Sequence, residues 1–592
     1  MIYFQSEQFE LNLLAFGVSL NEENDIFTDS INKSYSLPFT IKADNAILEK
    51  LGLPTLDDIT DVNSKIPGRL KLPSSHYSAN LFLGEVFGDN LECKITFGEA
   101  TLPVYETKLK DLPWPIILAG DLRQHAKNRI DQQWPLLGYN FPMVYNPKIK
   151  EESNYDLFEG FVNNYANGEF LQNEIDTSGE ENVYINRNVM VPFPYLLEIL
   201  KFGYKTAGLK AVGEIFQDET LKKAVYMPEK FLEKLDGSQY LQFAFTSRTR
   251  METASNIMYN VYERSFVPEN DGTYNLAFTI NLDPTLAKYF RLEILRENAL
   301  SGTLTTLERY YSTENRVQLD EKLDIEVTPA NEQDPILVRL TLLYTNRSIS
   351  DFNNFEFSFS DGQLNVFPTS FSLRDFMPDM TFGEYVNKLK NWLNLEIVPQ
   401  ETAVMINFLQ KNILNRAKRS HRHLEVIPKK QTNSNRFYKL NYANDERVFY
   451  TKDGQIYSDL DDEGSDIVII DMGVQPAIVE SNKGVTTAVM PENTSDLDFC
   501  IYGGVSGGRP VCKFEDSKKL NLQNVFKKWW EDWLRVRVRG YSYKENFECS
   551  PHEIFMIDEI SVKYNQFHIM KKLNRKYISE DIMKVDVESE TF

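Results

Sequence analysis

Cysteine is scarce: four in 592 residues (Cys93, Cys500, Cys512 and Cys549), with no C-x-x-C pair. That removes the zinc-knuckle and redox-dithiol signatures and fits synthesis in a reducing cytosol. Histidine is nearly as rare, six in the whole chain, which leaves few general bases. No stretch approaches the roughly 18 consecutive apolar residues of a membrane span. The opening MIYFQSEQFELNLLAF lacks a basic n-region and a cleavage site, so it does not read as a signal peptide. Positive charge is short as well: 64 Lys and Arg stand against 86 Asp and Glu, a net charge of −22. Phosphates reward Lys and Arg, so wrapping of nucleic acid is disfavoured and passing DNA would be repelled. No 20–50-residue repeat is visible, which argues against a solenoid.

What the chain does have is aromatic side chains, 39 Phe and 30 Tyr among them. These fit pleated, half-buried surfaces and tilt the fold toward β structure. The length is too great for one core. The expected fold is α+β, β-rich and multidomain, in four segments. Residues 1–150 read as a small β-barrel or sandwich: Phe9, Leu11 and Leu13 alternate, as does Leu91–Phe97, around a short helix capped by Asp44. Residues 151–235 read as a mixed module, with prolines entering a leucine-rich helix at Met190–Leu200 and a second cap at Asp218. Residues 236–370 read as a β-sandwich: Leu276, Phe278, Ile280 and Leu282 alternate, and Asp361-Gly362 separates Phe355, Phe357 and Phe359 from Leu364 and Val366. Residues 371–592 open on the capping box Thr381-Phe-Gly-Glu384, whose helix aligns Tyr385, Val386, Leu389 and Trp392. Strands follow, with an Asp453-Gly454 turn, then a helix with Trp529, Trp530 and Trp533, then a hairpin around Ile560–Ile569.

Candidate chemistry falls short at each motif. Gly504-Val-Ser506-Gly-Gly508 matches a G-x-S-x-G nucleophile pattern, with Asp516, Asp532, His552 and His568 downstream. A hydrolase elbow needs a helix directly after the serine, and Pro510 would sit in its first turns without an amide to donate. A glycine-rich loop is the simpler reading. Asp459-Leu-Asp461-Asp-Glu463-Gly464 opens like a calcium loop, but Ile470 stands where a bidentate Glu is needed. Asp466 could complete a looser cage, and a solvated acidic loop is the plainer account. The basic run from Lys411 to Lys430 carries Arg416, Lys418, Arg419 and Arg422 around His421 and His423. A metal would need further ligands beyond Glu425, so the run reads as a face that meets an acidic neighbour, such as another copy of this chain. Trp529, Trp530 and Trp533 fit a core or an interface better than a sugar platform. No catalytic, cofactor or metal residues are expected, and the chain is read as a non-enzyme.

Four stretches carry a family resemblance: Tyr35-Ser-Leu-Pro-Phe-Thr-Ile41, Val191-Pro-Phe-Pro-Tyr-Leu-Leu197, Met377–Val386 running on to Trp392-Leu-Asn-Leu395, and Phe526–Trp533 with the closing hairpin. Their order resembles tail proteins of phages and prophages of Bacteroidota, which are similar to the hub of contractile-tail baseplates and the tail-tip hub of siphophages. The resemblance implies a structural virion protein, made in the bacterial host cytoplasm without membrane insertion. It implies a homotrimeric ring in which each subunit gives two tube-type β-barrels, one at the start and one within 400–592. Such a ring joins the tail tube to the central spike and other baseplate proteins while DNA passes through its lumen without specific binding. Two other readings stay open: a tail-tip receptor or glycan-binding protein using 236–370, and a hydrolase using Ser506.

Overall fold

A computed structural model describes the chain except at residues 1, 28–33, 43–45, 47, 48, 50, 52–64, 74, 99–101, 152–157, 177, 179–182, 233, 236–238, 270, 313–315, 361–363, 401, 433–436, 444–446, 451–455, 458–466 and 492–496. The fold is β-rich α+β with several sheets around three hydrophobic cores. The first core belongs to a sheet that both chain ends build. Alternation in Asn90–Phe97 sends Leu91, Cys93, Ile95 and Phe97 inward and Glu92 and Lys94 outward. This strand pairs with the long His76–Phe87 strand as a hairpin. At the other end of the sequence, Gln566–Tyr577 and Met583–Thr591 form a second long hairpin. The two halves meet where Ser19–Glu23 pairs antiparallel with Lys572–Lys576, from Ser19 opposite Lys576 to Glu23 opposite Lys572.

Among the described residues the two tube-type barrels that the resemblance implies are not shown, and the result is one 14-stranded sheet. Its described pairings run from Glu10–Asn12 at one end to Lys429–Thr432 at the other without closing. The physical reason is the Ser19–Glu23 strand, whose two edges are shared between a strand of the N-terminal half and one of the C-terminal half.

Residues 102–232 and 371–540 build most of the second, central core. The capping box forms as expected: Thr381 Oγ1 accepts from the Glu384 amide at 3.2 Å and the Thr381 amide donates to Glu384 Oε2 at 2.7 Å. Helix Phe382–Leu393 then buries Phe382, Tyr385, Val386, Leu389, Trp392 and Leu393. It crosses helix Leu196–Thr206 at Gly203, where a Cβ would lie 2.1 Å from the Phe382 ring. Only glycine permits that approach. Asp218 accepts from the Thr220 and Leu221 amides at 3.0 and 3.1 Å and starts the turn Leu221–Lys223. The tryptophan helix holds a π turn at Phe526–Trp530, between Leu522–Val525 and Glu531–Arg539. The wide turn lets adjacent Trp529 and Trp530 both face inward, and Asn394 Nδ2 donates to the Trp529 carbonyl at 2.7 Å.

The third core lies in a two-sheet sandwich between residues 240 and 360. One sheet has four strands: Tyr240–Phe243, Asn353–Phe359, Gly272–Leu282 and Val317–Val327. The other has five: Arg250–Ala254, Ile257–Phe266, Ile336–Leu343, Phe290–Glu297 and Leu304–Ser312. Leu276, Phe278 and Ile280 point between the sheets with Phe355 and Phe357, and Phe266 stacks on Phe357 at 4.8 Å. Two adjacent linkers, Lys234–Leu235 and Asn365–Val366, pair with each other and join the sandwich to the central module. Asn173 Nδ2, from the central module, donates to the Asn365 carbonyl at 3.0 Å. The Asp44-capped helix rests largely on residues outside those described, and the turns at Asp361-Gly362 and Asp453-Gly454 lie wholly outside them.

Candidate functional site: the sheet that joins the chain ends

Where the halves of the terminal sheet meet, its outward face is a polar carpet set by register. Glu23, Lys572, Glu588, Lys544 and Lys429 stand in one row across five strands. Lys572 Nζ lies 2.6 Å from Glu23, and Lys544 Nζ lies 3.4 Å from Glu588. The next row aligns Asn21, Asn574, Asp586 and Asn546, with Asn546 bonded to Asp586. Beyond it Ser19 Oγ donates to Asn574 Oδ1 at 2.7 Å and Lys584 approaches Glu548 at 3.5 Å. A groove of about 610 Å³ runs over these rows, bordered by Tyr35 and by Ile427, which is 98% exposed. Exposed pairs of this kind contribute only about 0–1 kcal/mol each. The face is wettable and flat, suited to solvent or to a polar partner.

The inward side of the same strands carries charge where apolar residues would be ordinary. Glu22 pairs with Arg575, and both side chains are 3% exposed. Lys563 donates to Glu545 at 2.6 Å with the Tyr564 hydroxyl at 2.5 Å from the same oxygen, and Lys563 lies 4.6 Å from the Phe547 ring. Burial, with Glu545 beside it, pushes the Tyr564 phenol well above its usual range. On the opposite face, where the tryptophan helix covers the last strand, Arg537 donates to Glu590 at 2.7 Å and covers the Phe27 ring at 4.7 Å, so it ties that helix to the last strand and the N-terminal segment. Removing one partner from such a pair leaves a buried charge, at a cost of about 3–5 kcal/mol. His568 shares a hydrogen bond with Ser589 at 3.1 Å between the Tyr543 and Tyr564 rings, and burial pulls its pKa down to about 4.

The residues singled out in the sequence are placed as follows. Trp529, Trp530 and Trp533 are 0%, 6% and 2% exposed in the central core, so the interface expected of them is not available at the surface. The basic run turns on the chain's own carboxylates instead of an acidic neighbour. Arg416 pairs with Glu396 and donates to the Asp558 carbonyl at 3.1 Å, and Arg419 holds Glu559 at 2.6 and 3.0 Å. Lys418 lies 4.5 Å over the Phe567 ring, and both Lys418 and Arg422 stay exposed. Parallel pairing of Lys418–Ser420 with Ile560–Lys563 brings these partners together.

The two histidines of that run do not converge. His421 is fully buried on Phe555; its Nε2 donates to the Ile554 carbonyl at 3.0 Å, which leaves Nδ1 to accept the Ser561 hydroxyl at 2.9 Å. Burial lowers its pKa. His423 turns instead to Glu553 at 3.2 Å. Among the described residues no group of three or more His, Cys, Asp or Glu is placed to hold a metal ion. Ser506 closes a tight turn on Arg509, with N···O distances of 2.8 and 3.1 Å, through Gly507 and Gly508 at φ 58° and 78°. That is a reverse turn of the left-handed kind, with the next helix beginning only at Phe514, so the elbow geometry is missing. The acidic loop Asp459–Gly464 and Asp466 lie outside the described residues; Ile470 is buried in strand Ile467–Asp471.

The buried ion pairs escaped the sequence reading, yet a signal for them exists. Leu20-x-Glu22, Leu573-x-Arg575-x-Tyr577 and Tyr543-x-Glu545-x-Phe547 each put a charge at an inward position of an alternating strand. A wider cleft of about 980 Å³ lies in the central module between Trp114, Ile116, Tyr226 and Phe376. Charges at its rim pair with one another, Lys110 with Asp379 at 3.3 Å and Arg374 with Asp111 at 3.4 Å. Among the described residues no helix is long and apolar enough to cross a membrane.

No family model and no curated protein matches the chain. Eight solved chains match by structure. One is the 43 kDa tail protein of prophage MuSo2 from Shewanella oneidensis, 8% identical, covering 59% of this chain and 98% of that one with a TM-score of 0.17.

Proposed function

We propose that this chain is a non-enzymatic structural protein of a phage tail, the baseplate hub that links tail tube to central spike. The observation that carries the reading is the shared sheet: strands from the first 23 residues and the last 27 are paired and locked by buried charge. A single sheet that draws strands from the N-terminal and C-terminal halves into one body suits a protein that transmits load between two partners. On this reading the shared sheet is the part of each subunit that meets the tail tube. Three subunits form a homotrimeric ring, and the sandwich faces neighbouring virion proteins. The net charge of −22 suits a passage through which DNA slides without sticking. The chain would be made in the host cytoplasm and end in the virion tail.

Electron microscopy of the purified chain tests this directly, with rings of threefold symmetry expected. A stable monomer that binds neither tube nor spike proteins would sink it.

A further inference from the structure

The two outer faces of the sandwich differ in charge, and strand register decides how. On the five-stranded sheet Glu263, Arg339, Glu293 and Arg309 stand in one row, with Arg291 and Tyr311 in the row beside it. Arg250 joins them from the outer strand by pairing with Glu263. The carboxylates lie beneath: the Glu263 and Glu293 side chains are 14% and 7% exposed, against 39% for Arg250, 36% for Arg291 and 51% for Arg309. Arg250 also pairs with Glu252 at 2.7 Å, whose side chain is 44% exposed, so the outward guanidinium excess lies with Arg291 and Arg309, which share the one Glu293 and stand beside Tyr311 at 78% exposure; Glu297 stands at the margin.

On the four-stranded sheet the outward positions of Val317–Val327 are Gln318, Asp320, Lys322, Asp324 and Glu326, all exposed. Glu356 stands on the same face two strands away. The residues between are small and polar or apolar: Thr279, Ala277 and Asn275, with Asn275 donating to Asp324 at 2.5 Å. Four carboxylates therefore share a flat face with one ammonium group.

Sheets in a sandwich pack back to back, so these faces point in opposite directions. An arginine face and a carboxylate face on opposite sides of one module make a heterologous pair, since each copy can offer one to the copy before and the other to the copy after. Arginine and tyrosine are the side chains most enriched where proteins meet. We propose that sandwich modules of successive copies of this chain stack front to back, the arginine face of one on the carboxylate face of the next. The contact needs only self-association and does not rest on the hub reading.

The test uses the full chain and two variants, Arg291→Glu/Arg309→Glu and Asp320→Lys/Asp324→Lys, followed by sedimentation velocity. The wild type should associate, and each variant alone should weaken self-association by at least about tenfold. Mixing the two variants should restore one-to-one pairs, because each keeps the face the other has lost; that rescue also shows both are folded. Three results overturn the proposal: association unchanged in either variant, a mixture that stays monomeric, or loss of binding to an acidic glycan in the arginine variant with self-association intact. Threefold rings that persist in both variants would remove the stacking and leave the hub reading standing. A wild type that never associates would remove both.

Discussion

The terminal sheet and the sandwich are both built of long antiparallel strands, yet their interiors differ. Between the sandwich sheets lie Phe278, Phe355, Phe357 and Leu340, with no ion pair among them. The terminal sheet buries Glu22 with Arg575, Glu545 with Lys563 and Glu590 with Arg537. The difference follows the distance over which each must find its partners. Sandwich strands come from one stretch of chain, and turns such as Ser255-Asn256, both at positive φ, set their register locally. The terminal sheet joins Ser19 to Asn574, 555 positions away. Alternation forbids a slip of one residue but tolerates a slip of two. A buried charge with a single matching counter-charge forbids both, and this specificity is the role we assign to Glu22–Arg575, the pair that crosses the junction; Glu545–Lys563 and Glu590–Arg537 lie only 18 and 53 positions apart.

The largest effect should come from breaking that lock. Arg575→Ala leaves Glu22 buried with only the Tyr77 hydroxyl, 3.4 Å away, and should cost about 3–5 kcal/mol in denaturant unfolding. The double change Glu22→Leu/Arg575→Met should recover most of it; a single variant losing under about 1 kcal/mol would show that the pair does not hold the junction.

Leu340→Ala, which opens a cavity in the sandwich, should cost about 3 kcal/mol. Hydrogen exchange should rise in 240–360 and stay slow in Ser19–Glu23 and Lys572–Lys576. Equal acceleration in both places would mean they are not separate units.

Acidification should divide the two regions. His568 is held neutral, with its pKa near 4 in the fold against about 6.5 when unfolded. Between those values the unfolded chain binds the extra proton, so the contribution is fully present above pH about 6.5 and fades as pH falls toward 4. At pH 5 the terminal sheet should have lost about 2 kcal/mol from this group. His421 acts in the same direction. The sandwich has no histidine between 240 and 360. Limited proteolysis at pH 5 should therefore cut the terminal sheet first, and the reverse order would refute the assignment.

The smallest effect lies at the capping box. Thr381→Ala should cost about 1 kcal/mol and leave both β regions unchanged, as read by thermal unfolding.

Much of the local structure was legible. The capping box at Thr381, the helix after Pro194, the Asp218 turn and the inward Leu276–Leu282 alternation stand where the residue pattern puts them. Each depends on contacts within a few residues, which spacing alone reports. The candidate site was less legible. The tryptophans carry the same pattern whether a helix face meets its own core or another molecule, and only the central core shows which. The basic run looked unpartnered because Glu559 reaches Arg419 from 140 positions away, through the pairing of Lys418–Ser420 with Ile560–Lys563.

By itself, then, the sequence determined which residues alternate, where helices begin, and that cysteine, histidine and positive charge are scarce. Tertiary structure decided that, among the described residues, strands of the N-terminal and C-terminal halves form one open sheet and that Glu22 finds its counter-charge at Arg575. It also decided which sandwich face carries arginine. The reason is physical: periodicity encodes a strand's two faces, but the neighbour on each edge is chosen by a complementarity that no single strand contains.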